Sequence, residues 1–138
     1  MKQVLAVLAG LVVGVLVIFL AQAIEMAIFP PPANFDPNDP EQVKQLMQNA
    51  STLSLVLVLV GYFLGAFIGG LVATNIIKGT TWMPALLVGT VLTVLGLINL
   101  LAIPHPLWFT IFGLVIYFAG SFISFLVYTK FKKNDQKS

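Results

Sequence analysis

Four apolar stretches, each long enough to cross a bilayer, decide what this chain can fold into. The first runs from Val4 to Phe29 and is interrupted only by Gln22 and Glu25. As a helix at 1.5 Å per residue, Leu5 to Phe29 covers about 37 Å, more than a hydrocarbon core of about 30 Å. The second covers about 52–77, the third about 82–103 and the fourth about 107–129. None alternates with period two, and lipid tolerates only helices or closed barrels. The predicted fold is an all-α membrane protein, a four-transmembrane-helix bundle forming one domain over 1–138. Charged residues make up 9% of the chain, against about 25% in soluble domains, so lipid is the expected solvent.

Punctuation agrees. Pro30, Pro31 and Pro32 end the first span, Lys78-Gly79 the second, and Pro104-His105-Pro106 makes a tight reversal between the third and fourth. Gly79 suits the position just past a helix, and Thr80 or Thr81 suits a cap for the third span. Lys2, the apolar run and Ala21-Gln22-Ala23 have the look of a signal peptide. The run is longer than a usual h-region, however, and resumes after the site, so an uncleaved helix is expected.

Orientation follows from lysine. Lys2, Lys78, Lys130, Lys132, Lys133 and Lys137 share one side if the spans alternate, and Lys44 alone takes the other. The positive-inside rule then places both termini in the cytoplasm and the 30–50 loop outside. The first half of that loop, Pro30 to Pro40, is expected to be irregular but stiff. A short extracytoplasmic amphipathic helix is expected in its second half. Asp39 is the N-cap, Pro40 sits at N1, Gln42 at N3 completes a capping box, and Val43, Leu46, Met47 and Ala50 form an apolar stripe. With no Gly or Pro between Glu41 and Val60, this helix is expected to be continuous with the second span or only kinked from it.

Composition removes most chemistry. The chain has no cysteine, one histidine and no arginine, and no catalytic residue, cofactor or metal is expected. Nucleic acid is not an expected partner, because the lysines flank apolar spans.

Two constellations remain. Gly61, Gly65 and Gly69 line one face of the second span and admit a close helix neighbour; Gly10 and Gly14 repeat the spacing in the first span. The neighbour is either another helix of this chain or a second copy. Gly70 lies off that row and is expected to tolerate substitution better. The other constellation is polar: Gln22 and Glu25 share a helix face, and Asn99 and His105 lie at the same depth, in the outer third of the membrane. Glu25 is expected within direct or one-water reach of His105. Three readings stay open: a proton or cation site, a structural tie, or a carboxylate that snorkels to headgroups.

The chain resembles a group of small bacterial four-helix membrane proteins. The likeness rests on Glu25 before Pro30–Pro32, Asp36-Pro37 with Asp39-Pro40, Gly69-Gly70, and the segment Ile103 to Phe109. It implies a fold and a bacterial cell membrane, and no activity. The expected function is therefore a non-catalytic membrane protein, an accessory subunit, partner-binding protein or homo-oligomeric scaffold. The alternative is a small proton-coupled transporter or channel using Glu25 and His105.

Overall fold

The computed structural model describes residues 1–78 and 81–136. It contains α1 (Lys2–Ile28), α2 (Pro40–Asn49), α3 (Thr52–Ile76), α4 (Met83–Ala102) and α5 (Leu107–Asp135). All but α2 are long and apolar enough to cross a membrane, which makes this a multi-pass membrane protein.

The order of contacts gives the arrangement. Gly10 of α1 meets Gly69 of α3, Gly14 meets Gly65, and Ala21 meets Gly61, so the two helices run antiparallel. Helix α5 also packs on α3, antiparallel to α4, with Gly120 against Phe63 and Ala66, and Gly70 against Ser121 and Ser124. Helix α4 runs against α5, with Gly89 at Ser121 and Gly96 at Tyr117. Both chain ends thus lie at one end of the bundle and α2 at the other. Small residues are prominent inside: Ala66, Ala73, Thr74, Ala85, Ser121 and Ser124 are all buried, beside Phe109, Tyr117 and Leu92, while Leu8, Val12, Phe19, Ile98, Phe112 and Phe122 are exposed. The many large apolar side chains left outside suit lipid, which solvates them as well as an interior would, and close backbone packing does much of the holding. The buried hydroxyls of Thr74 and Ser124 are satisfied within their own helices. Thr74 Oγ1 donates to the Gly70 carbonyl at 2.8 Å and Ser124 Oγ to that of Ser121 at 2.5 Å.

Helix ends correct several expectations. Helix α2 is not continuous with α3. Ala50 and Ser51 are both extended, with ψ of 134° and 149°, and the Ser51 side chain accepts from the Ser54 N–H at 3.1 Å. A serine N-cap starts a new helix without any Gly or Pro. Asp39 does cap α2, accepting from the Glu41 N–H at 3.0 Å. Gln42, however, bonds the Asp39 carboxylate and the Asp36 N–H instead of closing a reciprocal box on the Asp39 N–H. Two turns, Pro32 to Phe35 and Asp36 to Asp39, close the loop before it. Helix α4 takes Trp82 as its N-cap with Pro84 in the first turn, not Thr81; Gly79, Thr80 and Lys137 lie outside the described residues. The left-handed residue that ends α3 is Lys78, with φ 56°, and its carbonyl accepts from Lys132 Nζ at 2.8 Å. That contact lies on a turn of α5 beyond the apolar span, which ends near Thr129. Lysine suits a helix C-terminus, so α5 continues to Asp135.

Gly70, off the row of Gly61, Gly65 and Gly69, faces a different neighbour. A Cβ there would strike Ser124 on α5, so α3 carries two contact faces, one glycine row toward α1 and Gly70 toward α5. A Cβ on Gly69 would lie 2.5 Å from the Gly10 carbonyl oxygen, a backbone atom that cannot swing aside. By contrast, a Cβ on Gly113 would meet only Leu100 at 3.6 Å and Leu59 at 3.8 Å. Gly69→Ala is expected to cost about 1–3 kcal/mol. Gly113→Ala should be neutral or stabilise by up to about 1 kcal/mol through helix propensity. Melting of the two variants in the same detergent checks this; equal shifts would remove the role of the α1–α3 contact.

Candidate functional site

At the α2 end the bundle opens into a cavity of about 650 Å³. Gln22, Glu25, Asn99 and His105, which come from α1, α4 and the turn before α5, all line it. Helix α3 contributes Ser54, Leu55, Val58 and Tyr62 to the wall. Pro30, Pro31 and Phe35 of the loop and Leu46 and Met47 of α2 complete its lining.

Glu25 and His105 do not bond each other directly within it, and each has another partner. Glu25 Oε1 accepts a hydrogen bond from the Ser54 hydroxyl, across the α1–α3 contact. His105 donates from Nδ1 to the Ile103 carbonyl at 2.6 Å and lies flat on Phe109, with ring centroids 4.9 Å apart. Glu25 and His105 therefore share the cavity without a direct bond. The reason is local on both sides. The Pro104–Pro106 turn folds the imidazole back onto the carbonyl two residues before it. The α1–α3 register sets the carboxylate opposite the first turn of α3. Ser54 was the residue missed. Its signal was present in Ser51-x-x-Ser54, a pair of hydroxyls at the depth of Glu25.

Tyr62 forms the inner end of the cavity. Its ring stacks on Tyr117 with centroids 5.0 Å apart. Phe109, fully buried, tilts against the same ring at 6.3 Å. Beyond this aromatic group the helices close on one another: Leu92 is 2% exposed, Val88 and Ala66 are fully buried, and the glycine contacts begin.

Among the described residues no cluster of three or more His, Cys, Asp or Glu side chains could hold a metal ion. Comparison of the chain with protein-family models, with curated proteins and with solved structures gave no match. Fold and site therefore rest on the chain's own residues.

Burial lowers the His105 pKa below the ordinary value of 6.5, with the Ile103 carbonyl pulling weakly the other way. The unfolded chain thus binds a proton at this ring more readily than the folded one. The stability this neutral ring contributes is complete above pH 6.5 and is lost as pH falls below it toward the folded value. Melting temperature is expected to drop on acidification from about pH 7 to about pH 5.5, with a smaller drop in His105→Gln. An unchanged slope in the variant would remove His105 as the cause.

Proposed function

We propose that the protein is a non-catalytic multi-pass protein of the bacterial cell membrane that holds a ligand in a recess open to the outside and closed at its inner end. Both termini lie in the cytoplasm in this reading. It is supported by the six lysines that alternation of the spans puts on one side. The amphipathic α2 then lies at the outer surface, with Leu46 and Met47 turned to the recess and Glu41 and Lys44 outside its lining.

The observation that carries the reading is the closed inner end. A proton-coupled transporter or channel using Glu25 and His105 needs water to pass the midplane. The Tyr62–Tyr117 stack and the backbone contacts at Gly65 and Gly69 occupy that route. A scaffold that self-associates through its glycine rows is also less favoured, because α1 and α5 of the same chain already fill those rows. Docking as an accessory subunit stays compatible with ligand retention, through the exposed apolar faces of the bundle.

Because the chain has no cysteine, any introduced one is unique. Val58→Cys, on the recess wall, is expected to react with a membrane-impermeant maleimide added outside intact cells. Leu92→Cys, beyond the aromatic group, is expected to stay unlabelled from either side. Labelling of Leu92→Cys would mean a continuous water path and would restore the transport reading. Labelling of Val58→Cys from inside-out vesicles only would reverse the orientation.

A further inference from the structure

We propose that the recess binds a ligand carrying an ammonium group on an apolar body. This deepens the reading of the recess as a binding site and rests on it. The first argument is charge. Among the described residues Glu25 is the one carboxylate on the wall, and its Oε1 takes the Ser54 hydroxyl, which leaves Oε2 to accept from a ligand. No lysine among those residues lines the recess. The basic side chain that does, His105, has Nδ1 committed to the Ile103 carbonyl, and burial favours its neutral form. A carboxylate on an apolar wall without a cation opposite it attracts a positive ligand and repels an anionic one.

The second argument is the wall itself. Phe29 and Phe35, both partly exposed, contribute aromatic rings to the lining, and ring faces attract ammonium groups through their quadrupole. An ammonium carries up to three N–H donors. The acceptors that match them are on the same wall, in the Gln22 and Asn99 side-chain carbonyls and in Glu25 Oε2. An inorganic divalent cation is a poorer fit, since it needs about six oxygen ligands and the described wall offers one carboxylate. The third argument is size. About 650 Å³ falls in the range that encloses most of a small organic molecule, and Leu55, Val58 and Met26 supply apolar wall for its body.

The test uses the full chain in dodecyl maltoside, a detergent without charge or amine. Three probes share one body: 4-phenylbutylamine, 4-phenylbutan-1-ol and 4-phenylbutyrate. By isothermal titration, corrected against empty micelles, the amine is expected to bind about tenfold or more tightly than the alcohol, and the butyrate not at all. Glu25→Gln keeps a partner for Ser54, so it is expected to melt as the parent does and to bind the amine no better than the alcohol. Val58→Trp, which leaves Glu25 in place and fills the recess, is expected to lose amine binding as well, and it serves if Glu25→Gln does not fold. Added phosphatidylethanolamine separates the sources of the ammonium. Displacement of the amine assigns it to a lipid headgroup, absence of displacement assigns it to a free amine, and both carry the proposal. Equal binding of all three probes, or amine binding unchanged in Glu25→Gln, would overturn it. Failure of every probe to bind while Val58→Cys still labels from outside would also overturn it, and would leave the closed recess standing.

Discussion

The backbone contact between α1 and α3 governs the rest of the molecule. In lipid no apolar side chain gains by leaving the solvent, so helices associate where their backbones can touch. Here Gly10 lies against Gly69 and Gly14 against Gly65, with the carbonyl oxygens of each pair where a Cβ would otherwise sit. Such a contact has one register. A slip of one residue would put Leu11 or Ile68 into a space that accepts only hydrogen. The register in turn carries Glu25 to the first turn of α3, where Ser54 meets it.

The same contact explains why the bundle is dense at one end and open at the other. The row of small residues stops at Ala21 and Gly61. Beyond it the facing positions carry Glu25 and Met26 on α1, and Leu55 and Val58 on α3. These four residues are on the wall of the recess, which lies beyond the last glycine contact. Tyr62 and Tyr117 mark the boundary, filling the width where small residues give way to large ones. The polar groups of the recess are thus placed by a steric rule that operates farther along the helices, and α2 lends Leu46 and Met47 to its wall.

Much of this was legible in the sequence. Four spans, the proline ends, the Asp39 cap and the glycine row each have a local cause that one segment carries by itself. The set Gln22, Glu25, Asn99 and His105 was legible too, because polar residues at one depth of a membrane have few places to go. Their pairing was not. Depth brought Glu25 and His105 to the same level, but rotation about each helix axis decides what touches, and rotation is set by contacts between distant segments. Ser54 won because Gly65 and Gly69 turn that face of α3 toward α1. The contact of Gly70 with α5 was not legible for the same reason: one row of glycines reads as one face, while the second face appears only once α5 is in place. The break at Ala50–Ser51 was a different kind of miss. A serine cap is a local signal, but without Gly or Pro beside it the chain reads as continuous.

The claim at the centre of this account is that the glycine contact fixes a register in which Glu25 and Ser54 are partners. A double-mutant cycle measures it directly, comparing the unfolding free energies of the parent, Glu25→Ala, Ser54→Ala and the double variant in one detergent. The account expects the two changes to be coupled by about 0.5–3 kcal/mol, the range for residues in direct contact. Additive changes, with no coupling, would mean that the two side chains do not meet, and would contradict the register on which the recess is built.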